Sequence, residues 1–123
     1  MPKPNVVNAA QSEVVSCEGA KTTNWHAWIN KMPPKPDDLH VTGQVEVPNL
    51  GVVAELIYRV PQGINEKYLL LDLVLIQKPG FWPQIPTLAT ARYDQTPPMA
   101  EYESVEVFCG TNSVATMKVE VVH

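Results

Sequence analysis

The chain has 123 residues, of which 45% are hydrophobic and 18% are charged, a composition typical of one soluble globular domain and not of a disordered protein. Its net charge is −4, and its nine basic residues are spread along the chain without a cluster, so we expect no nucleic acid partner. The longest strongly apolar run, residues 69–76, is interrupted by Asp72 and is much shorter than a membrane span, so no membrane association is expected.

The N-terminal segment and the two cysteines bear on location and redox state. Residues 1–10 lack the apolar segment of an export signal, so a cytoplasmic location is the default expectation. Residues 1–12 are expected to be extended or partly ordered. Cys17 and Cys109 lie far apart in the sequence. In a cytosol two such thiols stay reduced, which is the favoured interpretation, and a disulfide is the alternative.

Twelve prolines divide the chain into segments. Because proline is excluded from central positions of a sheet, the candidate strands lie between the proline-containing breaks. The first candidate is an edge strand at residues 13–17. The next segment, residues 24–32, is interpreted as a short helix, because four apolar residues recur at positions i, i+3, i+4 and i+7. These residues are Trp25, Trp28, Ile29 and Met32.

The residues that flank this segment fit the ends of a helix. Asn24 can serve as its N-cap, and Pro33 would stop it. The alternative is a strand, which would place Trp25, Ala27 and Ile29 on one face and is only slightly less favoured. Short apolar runs of this kind fit both periods, so the choice between helix and strand depends on a small difference.

The following segments alternate between apolar and polar residues, as half-buried strands do. Residues 39–47 and 52–60 are separated by a turn-forming sequence at residues 48–51, so we expect them to form an antiparallel hairpin. Residues 68–77 are apolar on both faces apart from Asp72, which is typical of a strand that is covered on two sides. This segment is the predicted central strand.

Three further strands are predicted toward the C-terminus. Residues 85–93 alternate less regularly, whereas residues 102–109 and 114–122 are rich in β-branched residues and flank a glycine-containing turn, which predicts a second hairpin. Together the elements predict a mainly β single domain over residues 1–123, either an antiparallel β-sandwich or a small β-barrel of about seven strands, with one short N-terminal helix. Residues 39–122 are expected to form a β meander.

Two aromatic clusters are candidate sites for binding a ligand or a partner. Trp25, His26 and Trp28 could line a pocket, although a role of the tryptophans in the core, with His26 facing solvent, is favoured. Phe81 and Trp82 lie in a proline-rich segment. If their side chains are exposed they form a rigid binding tip, and if they are buried they cover the core.

Asp72 is a third candidate site residue, because a carboxylate within an apolar strand either acts as a general base or pairs with another group. A structural pair with Arg59, Arg92 or a hydroxyl is the favoured alternative. The sequence contains no motif with the spacing of metal ligands, of an activated nucleophile or of a phosphate-binding loop. We therefore expect no metal and no cofactor, and the sequence identifies no catalytic residue.

The function that these patterns favour is a small non-enzymatic binding or protein-interaction module that uses exposed loop aromatics. One alternative is a ligand-binding barrel or enzyme with an internal pocket around Asp72. Another is an oligomerising structural protein, in which the valine-rich C-terminal hairpin pairs across a two-fold axis. The expected partners are thus a protein, a small ligand or a second copy of the chain, and not a nucleic acid or a membrane.

Overall fold

In the computed structural model of the protein, residues 6–9 and 11–123 are described, with side chains from residue 11 onward. The prediction for residues 1–12 falls largely outside the described residues. Ten strands follow one another, and none of the described residues forms a helix that could cross a membrane. The strands are β1 (Val6–Ala9), β2 (Glu13–Val15), β3 (Thr22–Asn30), β4 (Asp38–Val47), β5 (Val52–Tyr58), β6 (Tyr68–Gln77), β7 (Gly80–Pro83), β8 (Thr87–Gln95), β9 (Ser104–Cys109) and β10 (Asn112–Val122).

Eight of these strands form one curled, mixed sheet, a half-barrel, which confirms the mainly β prediction. β6 is paired along both edges, with β5 on one side and with β9 and β2 sharing the other. From β9 the sheet continues through β10, β3 and β4 to β8. Cα atoms of β5 and β8 approach within 8 Å. β1 and β7 form a separate two-stranded ribbon.

The predicted helix at residues 24–32 is wrong, because this segment lies almost entirely in β3. Residues Ala27 and Ile29 point into the core and are almost fully buried, as the alternative strand interpretation required. The indole of Trp25 lies on the same side and packs over Gly43, where any Cβ would overlap the ring. Pairing with β4 along one edge and with β10 along the other outweighs the local helical pattern.

The predicted hairpin of residues 39–47 with 52–60 is also wrong. β4 pairs with β3 and β8, whereas β5 pairs with β6. The side chain of the buried Asn49, in the intervening turn, binds the side chain of Gln77. Nδ2 of Asn49 donates to Oε1 of Gln77 at 2.9 Å, and Nε2 of Gln77 donates to Oδ1 of Asn49 at 3.1 Å. This buried amide pair fixes the turn to the end of β6.

The strands of residues 39–122 do not form a simple meander. β6 pairs with β9 in parallel, and β10 pairs in parallel with β3, which precedes this range. The predicted C-terminal hairpin is confirmed, since β9 and β10 are antiparallel and are joined through Gly110, whose φ is +62°. The predicted edge strand is confirmed for residues 13–15, and the predicted central strand has the bounds of β6.

The core lies on the inner face of the curled sheet, where alternate residues of each strand point. β6 places leucines at every second position on this face, and β4 and β9 place valines there. The larger apolar side chains with essentially no exposed surface are Leu39, Val41, Val45, Val47, Leu69, Leu71, Val105 and Val107. Three strands that are distant in sequence therefore supply most of the fully buried apolar surface.

Cys17 and Cys109 form a disulfide, so the expectation of two reduced thiols is wrong. β2 and β9 lie end to end along the same edge of β6. The residues that follow β2 therefore meet the last residue of β9, although the two cysteines are 92 positions apart. Their proximity depends on this arrangement of strands, which the spacing of the cysteines does not reveal.

Candidate functional site

One end of the half-barrel carries an open cavity of about 570 Å³, which we call the end cavity. At this end β3, β8 and β10 finish and β4, β6 and β9 begin, so separate parts of the chain meet there. Its apolar wall includes Ile29 and Tyr102, which are 5% and 8% exposed, and Val121, which is 49% exposed. An apolar wall in a concavity of this size is typical of a small-molecule site.

Charged side chains line the same cavity as this apolar wall. They are Lys31, Lys35, Asp37, Lys67, Glu101 and Glu103. Nζ of Lys35 lies 2.6 Å from Oδ1 of Asp37, and the longer contact between Lys67 and Glu103 spans 3.9 Å. Within the described part of the chain, Lys31 has no ion-pair partner. The end cavity therefore combines apolar packing with charges of both signs.

A smaller cavity of about 230 Å³ adjoins the end cavity and shares Ala100 and Tyr102 with it. The two cavities therefore have part of their walls in common. Tyr58, Tyr68 and Met99 contribute to its wall, together with the polar residues Gln62, Asn65 and Glu66. We call this second space the tyrosine cavity.

A hydrogen-bonded cluster around Gln95 supports the wall that the two cavities share. Nε2 of Gln95 donates to the hydroxyl of Tyr93 at 2.9 Å, and its Oε1 accepts from the backbone N–H of Met99 at 2.9 Å. Burial raises the pKa of Tyr93 and Tyr102 above the usual 10, although hydrogen bonding with Gln95 opposes the rise in both. The protonated, neutral phenols are therefore the form that suits this fold.

We expect the protein to lose stability as the pH rises above 10. The phenols of Tyr93 and Tyr102 have raised pKa values in the folded state, so the unfolded chain releases their protons first. Their contribution is present below the unfolded pKa and is lost as the pH rises through the folded value. Denaturant unfolding at about pH 8 and about pH 11 measures this loss. The loss of stability between the two pH values should be smaller in Tyr102→Phe and unchanged in the exposed control Tyr68→Phe. An equal loss in both variants would contradict its assignment to the buried phenols.

A second cluster of functional side chains lies on the outer face of the sheet, where β3, β4 and β8 run side by side. The strand register places Trp28 opposite His40, and His40 opposite Asp94. The rings of Trp28 and His40 are 5.2 Å apart between centroids. Nδ1 of His40 lies 2.6 Å from Oδ1 of Asp94, and Nε of Arg92 donates to Oδ2 of the same carboxylate at 3.0 Å.

Asp94 holds this cluster together as its common acceptor. Partial burial raises the pKa of its carboxyl, but the hydrogen bonds from His40 and Arg92 outweigh that effect and keep the pKa below its usual range. A carboxylate that orients an imidazole is half of a general-base arrangement. In the described part of the chain His40 has no hydrogen bond to a hydroxyl group, and both cysteines are in the disulfide.

The structure separates the three residues of the first predicted aromatic cluster. Trp25 lies on the inner side of β3 against Gly43. His26 is exposed, and Trp28 is partly exposed on the outer face beside His40. Since successive residues of a strand point to opposite faces, His26 and Trp28 share the outer face of β3, and Trp25 on the inner side does not line a pocket with them.

Phe81 and Trp82 also point in different directions, because they lie in β7 and not in a loop. Phe81 is 73% exposed. Trp82 packs over Gly51, and its Nε1 donates to the carbonyl oxygen of Lys78 at 3.1 Å. Of this pair, Phe81 presents most of its side chain to solvent, whereas Trp82 is half-buried.

Asp72 lies on the outer face of β6 and not in the core. Its Oδ1 accepts from the guanidinium of Arg59 at 2.6 Å, which is one of the pairs that the sequence favours. The same guanidinium lies 4.4 Å from the centre of the Phe108 ring and donates to the carbonyl oxygen of Gly110 at 3.0 Å. With these contacts Arg59 links β6, β9 and the turn after β9, which is a structural role for the pair.

Sequence reasoning missed the end cavity and the His40–Asp94 pair. The pair depends on the register of β4 against β8, which is a long-range property. The proline-containing breaks at residues 33–36 and 97–98 border the end cavity in part and are the one local pattern that could have drawn attention to it. The chain matches no known family, no curated protein and no solved structure.

Proposed function

We propose that the protein is a non-enzymatic binding module that holds a small, partly apolar ligand in the end cavity. The observation that carries this proposal is the cavity itself, which at about 570 Å³ is in the range of about 300–1,000 Å³ that small-molecule sites occupy. Ile29, Tyr102 and Val121 offer apolar contact, and the surrounding charges offer orientation.

The positions of the titratable groups support binding over catalysis. His40 and Asp94, which have the geometry of a base and its orienting carboxylate, lie on the outer face and do not line the end cavity. A general base must lie within hydrogen-bond reach of the proton that it removes. A ligand in the end cavity would therefore meet lysines, carboxylates and a tyrosine, without the oriented imidazole.

The disulfide supports a location in an oxidising compartment, in place of the predicted cytoplasmic one. Structural disulfides persist outside the cytosol and are rare within it. Cys109 is 6% exposed and ends β9 in the middle of the sheet, so the bond with Cys17 belongs to the framework of the fold. A binding module of an exported protein combines this framework with the proposed ligand site.

Binding of anilinonaphthalene sulfonate, a fluorescent apolar anion, tests the proposed site. Val121→Trp places a large ring at the wall of the end cavity and should weaken binding at least about tenfold, because the lost volume excludes the probe. The matched control is Val122→Trp, since Val122 is also exposed but does not line the end cavity. Titration by fluorescence measures both affinities.

The two variants separate the end cavity from other apolar surfaces. Unchanged probe affinity in Val121→Trp, with folding confirmed by circular dichroism, would place binding elsewhere and contradict the proposal. Equal weakening in both variants would also contradict it, because a general disturbance of β10 and not occupation of the cavity would then explain the loss.

A further inference from the structure

We infer that the end cavity selects a zwitterion that carries a carboxylate, an ammonium group and an apolar side chain. The carboxylate binds Lys31, the ammonium group binds Glu101, and the apolar side chain packs against Tyr102. This inference rests on the proposed function and names the chemical class of its ligand. Free amino acids and short peptides with free ends share this chemistry.

The charges of the cavity carry the inference. Of its three lysines, two are held by carboxylates in the same wall: Lys35 pairs with Asp37, and Lys67 contacts Glu103. Of the six charged residues that line the end cavity in the described part of the chain, this leaves one cation, Lys31, and one anion, Glu101, without an ion-pair partner. A simple anion would complement only Lys31, and a simple cation would complement only Glu101, whereas a zwitterion complements both side chains.

Backbone hydrogen bonds fix the segments that carry these two groups. The N–H of Lys31 donates to the carbonyl oxygen of Val122 at 2.7 Å, which ties the end of β3 to the end of β10. Near Glu101, the N–H of Glu103 donates to the carbonyl oxygen of Lys67 at 2.7 Å. Binding would therefore order mainly two side chains and not the loops, which lowers its entropic cost.

The apolar wall of the end cavity, formed by Ile29, Tyr102 and Val121, supplies the place for an apolar side chain. The adjoining tyrosine cavity shares Ala100 and Tyr102 with it, and Tyr58, Tyr68 and Met99 line that space together with the polar residues Gln62, Asn65 and Glu66. Aromatic and methionine side chains pack well against large apolar groups of varied shape. We therefore expect ligands with leucine-like or phenylalanine-like side chains to bind more tightly than glycine-like ones.

The test compares leucylphenylalanine with its N-acetylated and its C-amidated forms, by isothermal titration calorimetry on the full chain. Each modification removes one charge of the zwitterion, and each should weaken binding about tenfold, since a hydrogen bond to a charged group is lost. Free phenylalanine and its N-acetylated and C-amidated forms are measured in the same way. Comparison of the two series shows whether the ligand is a free amino acid or a peptide. A charge preference in either series supports the inference.

Two variants assign the charges to their residues. Lys31→Gln should remove the preference for the free carboxylate and keep the preference for the free amine, whereas Glu101→Gln should do the reverse. Lys118→Gln and Glu55→Gln are matched controls, because both are exposed and neither lines the end cavity. Both controls should keep both preferences.

The outcomes separate this inference from the proposed function. If the free and blocked compounds bind equally, or if none of them displaces anilinonaphthalene sulfonate from the end cavity, the zwitterion inference is overturned while the binding site stands. If Val121→Trp leaves the affinity of that probe unchanged, the proposed function fails and the inference fails with it.

Discussion

Replacing both Cys17 and Cys109 by alanine is expected to lower the free energy of unfolding by about 4 to 5 kcal/mol, the entropy that a loop of this length loses when it is closed. The disulfide spans 92 positions and thus restricts most of the unfolded chain. In the folded state it joins the segment after β2 to the end of β9, both of which depend on β6 for their position. Denaturant unfolding under non-reducing conditions measures the loss.

Reduction provides the control for this substitution. Wild-type protein in the presence of a reductant should unfold at the same denaturant concentration as the double alanine variant, and the variant should not respond to the reductant. Titration of the unfolded wild-type chain should find free thiols only after reduction, since both cysteines are paired. Equal stability of oxidised and reduced wild-type protein would contradict a structural role of the bond.

The strands that could be predicted well are those whose information is local. Tyr68–Gln77 has the predicted bounds because its apolar run ends where β6 ends. The C-terminal hairpin also follows from nearby residues, because two β-branched runs flank Gly110. In both cases the sequence that specifies the element lies inside it or next to it, so no knowledge of distant contacts is needed.

The segments that were predicted wrongly depend on distant contacts. β3 has apolar residues at both helical and strand spacings, and only its ladders with β4 and β10 decide between them. The turn after β4 contains good turn residues, yet the side chain of Asn49 binds Gln77 of another strand. Turn chemistry thus reverses the chain without determining which strands pair.

The end cavity was not predicted, because its wall is assembled from several separate segments of the chain. Ile29 and Lys31 come from the end of β3, Lys67 precedes β6, Tyr102 precedes β9, and Val121 belongs to β10. Each of these residues is unremarkable within its own segment. They meet because the strands of a curled sheet begin and end at a common rim, a consequence of the pairing order and not of any local pattern.

Gly43→Ala is expected to destabilise the fold by about 1 to 3 kcal/mol, the usual effect of overpacking a core. Gly43 lies in the middle of β4, pairs with Ala91 of β8 and faces the bulge of β3 on its other edge, and the ring of Trp25 occupies the space that a Cβ would need. Neither partner can move freely, because Thr42 and Gln44 on both sides of Gly43 are paired with β3 and β8, and the indole packs against the core. Denaturant unfolding of the variant measures the effect.

A double-mutant cycle identifies the ring as the cause. In a Trp25→Leu background the smaller side chain frees space, so adding the Cβ at position 43 should cost less than about 0.5 kcal/mol. Gly63→Ala is the matched control, because its Cβ would meet only Leu70, at an ordinary 3.5 Å, and should leave stability unchanged. If Gly43→Ala costs the same in both backgrounds, the strain lies in the backbone of β4. Coupling between positions 25 and 43 would instead assign the indole of Trp25 to the core, as the cause of the strain.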